Sequence, residues 1–192
     1  PCGKLTDTWA KNYEDYPSAD TFGHRNGNLT EEEYTEGIYV GYRWFDKKEI
    51  TPRYAFGYGL SYTEFEHKIT EVARNKVMVE VTNAGTYSGK EVLQIYVRKP
   101  DGTIEHEKKS LVAFAKTKEL EPGESQNIII DFDLADVASF DEQRSAFVLE
   151  SGEYAFLLND TACGAVTLAE EIVLANGLFN RIKKMIFSAP EL

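Results

Sequence analysis

Between Lys76 and Thr82 apolar and polar residues alternate one for one, with Val77, Val79 and Val81 on one side and Met78, Glu80 and Thr82 on the other. A period of two marks a strand with one face turned to a core. The pattern recurs over Val92 to Val97, where Val92, Gln94 and Tyr96 oppose Leu93, Ile95 and Val97, and this register predicts Tyr96 in the core. With that run taken as Glu91 to Val97, further β-prone runs lie at Phe65 to Val72, Leu111 to Lys116, Gln126 to Phe132, Ala146 to Leu149, Tyr154 to Leu158 and Ala165 to Leu174. Turn chemistry separates them: Asn83-Ala84-Gly85, Glu121-Pro122-Gly123-Glu124 and Ser151-Gly152-Glu153. Seven or eight short strands in roughly 115 residues predict an immunoglobulin-like β-sandwich.

The ends of the chain obey other rules. From Pro1 to about Thr30 no period is sustained, and the residues are those of extended loop. Thr30 is placed to cap a short helix beginning Glu31-Glu32-Glu33-Tyr34, and the branched and aromatic run Gly37 to Phe45 predicts a strand. The turn-forming glycines of Phe56-Gly57-Tyr58-Gly59-Leu60 place a boundary near residue 60. At the far end Leu178, Phe179, Ile182, Met185 and Ile186 fall at helical spacing, with Arg181, Lys183 and Lys184 off the stripe, which predicts an amphipathic helix from Gly177 to Phe187.

Composition adds constraints. In 192 residues, 42% are hydrophobic and 28% charged, the balance of a folded globular chain. A formal charge of -11 repels phosphate backbones and anionic headgroups, so nucleic acid is excluded as an expected partner. No apolar run reaches the length of about 18 residues needed to span a membrane. An opening at Pro1-Cys2-Gly3 reads as a fragment or a processed product, and Cys2 and Cys163 as free thiols that lean towards a reducing, cytoplasmic setting.

Candidate chemistry is sparse. His24, His67 and His106 are far apart and lack metal-ligand spacing, and Asp131, Asp133 and Asp136 lack the glycine and terminal Glu of a calcium loop. Gly57-Tyr58-Gly59 is too short for a phosphate loop, and no Gly-x-Ser-x-Gly elbow occurs. Glu31, Glu32, Glu33 and Glu36 form the densest acidic cluster and read as solvated surface. Asn28-Leu29-Thr30 and Asn159-Asp160-Thr161 match the glycosylation tripeptide, a pattern frequent by chance. Rings crowd the first third, among them Trp9, Tyr34, Tyr42, Trp44, Tyr54 and Tyr58, and are read as packing between domains rather than as sugar platforms. Arg43, between Tyr42 and Trp44, is expected to anchor that packing through a carboxylate or a ring.

Two segments taken together, Tyr34 to Phe45 and Phe56-Gly57-Tyr58-Gly59-Leu60-Ser61-Tyr62-Thr63-Glu64-Phe65, resemble family 3 glycoside hydrolases. Pro1 to Trp9 resembles a stretch shortly before them, with Cys2 where Ser is usual and Thr6 where Pro is frequent. Val81 to Gly85, Gly89 to Val97, Leu111 to Phe114, Leu120 to Glu124, Phe140-Asp141 and Gly152-Glu153-Tyr154 come in the order of that family's fibronectin type III-like domain.

The resemblance implies a fold that is mainly β: an immunoglobulin/fibronectin III-like β-sandwich over 61–176, preceded by a loop-rich segment over 1–60 that ends an α/β sandwich domain and followed by a helical tail or linker over 177–192. It implies as partners the catalytic barrel and α/β sandwich domain of a parent β-glucosidase, and through that parent a terminal non-reducing β-glucoside, cleaved with retention by two carboxyl groups about 5 Å apart. In the family these are an Asp of the barrel and a Glu of the α/β sandwich, and no stretch here matches either motif. No catalytic, cofactor-binding or metal-binding residue is therefore assigned, and the chain alone is expected to be inactive. The tail is expected to lead into a following barrel in a parent of permuted order. The alternative is a stand-alone carbohydrate-binding or protein-interaction sandwich, whose candidate rings are Tyr87, Tyr96 and Phe114.

Overall fold

The computed structural model describes residues 1–174. From Phe65 onward two antiparallel sheets face one another. One holds β1 (Phe65–Ala73), β2 (Lys76–Asn83) and β5 (Ser125–Asp131), with β2 central. The other holds β3 (Val92–Arg98), β4 (Ser110–Lys116), β8 (Gly152–Leu158) and β9 (Thr161–Leu168), in the order β4-β3-β8-β9. A small third sheet, of β6 (Ser139–Asp141), β7 (Ala146–Leu149) and β10 (Ile172–Leu174), runs in the order β10-β7-β6.

The alternation in the sequence becomes the core. Val77, Val79 and Val81 from one sheet meet Leu93, Ile95, Val97, Tyr154 and Phe156 from the other, all closed off from solvent. Burying each such side chain contributes about 1.5–3 kcal/mol. Phe132 packs on Phe156 with centroids 5.3 Å apart. At the start of β8 the Tyr154 hydroxyl donates to the Glu150 carbonyl at 2.9 Å, the corner motif of immunoglobulin-like folds, and burial pushes this phenol up to about 12. One polar residue sits wholly inside: Asn83 accepts from Thr63 Oγ1 at 2.6 Å and Gly85 N at 3.1 Å, and donates to the carbonyls of Tyr87 and Leu120, each at 2.8 Å. With its donors and acceptors all engaged, it ties the β2–β3 connection to the rest of the sandwich.

Three expectations need correction. Gly37 to Phe45 is not a strand. Its second half enters an α-helix, α1 (Tyr42–Lys48), because Tyr42 and Phe45 at i, i+3 spacing both find packing partners, and that burial overrides the β propensity of the residues. Glu31 to Tyr34 forms no helix. The Asn28 carboxamide accepts from the amides of Thr30 and Glu31, but no apolar stripe comes after them and Tyr34 is exposed, so there is a cap with nothing to pack beneath it. The run Ala165 to Leu174 is two strands, because β9 ends at Leu168 and β10 crosses to the small sheet. Ser139–Asp141 is a strand the periodicity missed, being too short to show one. The helix expected at Gly177 to Phe187, and the linker role given to 177–192, lie outside the described residues.

Candidate interdomain interface

The outward face of the four-stranded sheet is where residues 1–60 lie. Tyr96 points to this face, opposite in β3 to the core-facing Ile95 and Val97. It is buried there beneath Tyr42 of α1, whose ring meets it edge-on with centroids 5.8 Å apart. The expectation that Tyr96 is buried therefore holds, but its cover is the preceding segment rather than the sandwich core. Leu157, its register partner on β8, is buried as well without belonging to the core between the sheets.

Two features fix the segment's position. The Tyr42 hydroxyl accepts from the Leu111 amide at 2.9 Å, and the ring also packs on Phe56 at 5.3 Å. Gly57 crosses directly above Gln94: its backbone takes φ +82°, a conformation that favours glycine, and a Cβ there would press on the carboxamide end of the Gln94 side chain, which would have to shift. The sequence marks Gly57 as a turn residue. It does not disclose the contact with Gln94, which is distant in the chain.

Ion pairs edge this contact. Lys4 reaches Glu91 at 3.3 Å, Lys108 reaches Glu49 at 2.9 Å, and Lys109 lies 3.6 Å from Asp46 while also bonding Asp160. Lys47 pairs with Glu105 at 2.9 Å with its ammonium 3.5 Å from the Tyr39 ring centroid, and the Tyr39 hydroxyl donates to the same carboxylate at 2.8 Å. The Lys47 and Tyr39 bonds hold the Glu105 carboxyl below its ordinary value. Glu107, like Glu91, is buried. Burial pushes its carboxyl up, but the Ser110 hydroxyl, the Lys99 ammonium at 3.3 Å and Arg43 at 4.0 Å more than offset this and hold it below the usual range. Asp46 behaves oppositely: burial, aided by the charge of Asp160, outweighs Lys109 and raises it. Arg43 thus meets a carboxylate, as expected, and its guanidinium also lies 5.9 Å from the Tyr42 ring.

Facing away from the sandwich, the segment presents rings. Leu5 and Trp9 pair as a ribbon with Tyr58 and Tyr54 through Leu5 N to Tyr58 O at 2.7 Å and Trp9 N to Tyr54 O at 2.9 Å. On that ribbon Trp9, Tyr54 and Tyr58 form a ladder with centroid spacings of 6.2 and 4.9 Å. Trp9 is 52% exposed, and Leu60, Tyr62 and Tyr34 are exposed further along. The density of rings in the first third was the signal for this surface.

The remaining sequence candidates have local roles. His24 Nδ1 lies 2.7 Å from the Asn28 carbonyl, His106 bridges the Pro100 and Glu107 carbonyls, and burial lowers His67 beside Glu91. The Asp133 side chain caps the 3₁₀ turn Leu134–Val137. Glu31, Glu32, Glu33 and Glu36 spread along the loop, with Glu36 accepting from Ser18. Asn159 accepts from the Gln94 amide at 3.1 Å, which commits its carboxamide to the sheet. Among the described residues no helix is long and apolar enough to cross a membrane.

Residues 91–162 match the model of the fibronectin type III-like domain. β-Glucosidase A of Butyrivibrio fibrisolvens is 40% identical over 186 residues, covering 82% of this chain and 22% of that protein. Among solved structures, β-glucosidase 3B from Thermotoga neapolitana in complex with α-D-glucose superposes with a TM-score of 0.82 at 36% identity, over 91% of this chain and 25% of that one. A β-glucosidase from Paenibacillus barengoltzii superposes with a TM-score of 0.79 at 39% identity, over 90% and 21%. The chain thus spans about a fifth to a quarter of the length of these relatives.

Proposed function

The chain matches the fibronectin type III-like accessory region of family 3 β-glucosidases, and from that premise we propose that it braces the catalytic domains of a retaining β-glucosidase acting on terminal non-reducing β-D-glucosyl residues. Residues 1–60 complete and support the α/β sandwich domain of the parent, and residues 61–176 buttress it. The observation that carries this reading is the two-sided construction of residues 1–60. One side is seated on the sandwich by Tyr42 and Gly57, and the other offers the ring ladder Trp9, Tyr54 and Tyr58 to a neighbour. The two carboxyl groups of the reaction belong to the barrel and the α/β sandwich, so the homogeneous chain is expected to leave an aryl β-glucoside intact. Turnover by that chain would overturn the assignment.

A second reading, a stand-alone carbohydrate-binding sandwich, is favoured by the exposure of Tyr87 and Phe114 at 64% and 72%. Tyr96, the third ring it would use, is covered. Movement of amide resonances around Tyr87 and Phe114 on adding cello-oligosaccharides would establish it, and unchanged spectra would remove it.

A further inference from the structure

The loop between β3 and β4, residues 99–109, supplies several of the groups that seat residues 1–60. Glu105 takes Tyr39 and Lys47, Lys108 takes Glu49, Lys109 takes Asp46, and the His106 carbonyl accepts from the Tyr39 hydroxyl at 3.3 Å. The loop contains neither strand nor helix, so its side-chain ties decide how these partners are presented.

It is anchored from outside and from within. From outside, the Glu150 carboxylate accepts from the Thr103 amide at 2.8 Å, the Thr103 hydroxyl at 3.0 Å and the Ile104 amide at 3.4 Å, while the Glu150 carbonyl is held by Tyr154. From within, the His106 ring spans the loop: Nδ1 lies 2.9 Å from the Glu107 carbonyl oxygen and Nε2 lies 3.1 Å from the Pro100 carbonyl oxygen. A carbonyl oxygen only accepts, so each contact is a hydrogen bond only when that nitrogen carries a proton. Neutral imidazole has one N–H and, in either tautomer, turns the lone pair of its other nitrogen towards an oxygen. The imidazolium has a proton on both.

The charged groups around the ring leave this choice to the carbonyls. Lys99 pairs with Glu107, Lys108 with Glu49 just after α1, and Lys109 with Asp46 of α1 and with Asp160. Glu105 is taken by Lys47. Asp101 on the loop, Arg98 at the end of β3 and Glu153 of β8 line the same cleft, so neither sign dominates it.

We propose that His106 is a proton-operated clamp on this loop. The charged ring ties Pro100 to Glu107 and holds 99–109 in the shape that receives Tyr39, Asp46, Lys47 and Glu49; loss of the proton breaks one of the ties. Histidine changes charge between about pH 5 and 8. A tie made only by the charged form is present in full at the acid end of that range and is lost as pH rises through it. Residues 1–60 are therefore held more tightly near pH 5 than near pH 8. The clamp acts between parts of this chain and does not depend on the parent enzyme.

The 192-residue chain itself provides the test. At pH 5 both ring N–H protons of His106 should be visible by nitrogen-15 NMR and slow to exchange with water, and at pH 8 one nitrogen should be unprotonated. Amide protection at 36–48 and 99–109, corrected for the intrinsic effect of pH on exchange, should fall about fivefold from pH 5 to pH 8, with β2 and β3 unchanged. His106→Phe keeps a ring without a donor and should show the lower protection at both pH values, whereas Asp46→Asn should still show the fall. Equal protection at the two pH values in the unaltered chain, a fall that survives His106→Phe, or one abolished by Asp46→Asn would overturn the proposal. If His106→Phe fails to fold, the ring protons decide: exchange at pH 5 as fast as that of free histidine would equally overturn it.

Discussion

In the sandwich, side chains such as Val77, Leu93 and Phe156 are closed off from water and the backbone bonds run in ladders, whereas in residues 1–60 the buried residues are Thr8, Ala19, Tyr39 and Phe45, none of them wholly closed off. The first region generates its own interior. The second has almost none, and its long-range ties are side-chain bonds and ion pairs to the surface it sits on: Tyr42 to Leu111, Tyr39 and Lys47 to Glu105, Lys4 to Glu91. Exposed ion pairs contribute about 0–1 kcal/mol each, and a hydrogen bond about 1. The contrast teaches that the sandwich should survive without the segment, while the segment should not hold its shape without a surface on both sides.

The sharpest way to break this contrast is to damage each region and compare. Phe156→Ala empties a site at the centre of the core and should cost about 3–5 kcal/mol in denaturant unfolding. Asn83→Ala should cost about 2–3 kcal/mol, because the Leu120 and Tyr87 carbonyls lose their donor. Tyr42→Ala belongs to the other region. It should raise the rate at which protease releases residues 1–60 and leave the denaturant midpoint of the sandwich nearly unchanged, while Tyr42→Phe, which keeps the ring contacts, should lose only about 1 kcal/mol of attachment. If Tyr42→Ala shifted the global midpoint as far as Phe156→Ala, the two regions would be one cooperative unit and the comparison would fail.

Legibility divided along the same line. Strands β2 and β3 could be read directly, since Val77, Val79 and Val81 obey a period that one buried face imposes. The site was legible only as a concentration of rings. Which surface Tyr42 would meet depends on Gln94, Tyr96 and Leu111, residues whose proximity is set by the sheet and not by anything near position 42. Misreading Gly37 to Phe45 as a strand has the same origin: branched and aromatic residues favour strands when local preference decides, and here packing on a distant element decides. Even Tyr96 was placed correctly as buried for a reason that alternation alone could not supply.

Acidity separates two carboxylates within the attached segment's own contact. Glu107 has a folded-state value below its ordinary one, so the stability it contributes is present above its unfolded value near 4.3 and is lost as pH falls through the folded value. Protease release of residues 1–60 should therefore accelerate below about pH 4. Glu107→Gln should flatten that dependence and weaken attachment at neutral pH, because Lys99 and Arg43 lose their counter-charge.

Asp46 carries the smallest expected effect and the opposite sign. Burial on α1 raises its carboxyl despite Lys109, so the folded state holds its proton to higher pH than the unfolded chain does. Stability lost to the charged form is recovered as pH falls through the raised value towards the ordinary one near 3.9. Asp46→Asn removes the charge without changing the shape, and should slow release of residues 1–60 at pH 7 while making no difference at pH 3. Faster release at pH 7 would mean that attraction to Lys109 outweighs burial, and that the segment is held by its charges more than by Tyr42 and Gly57.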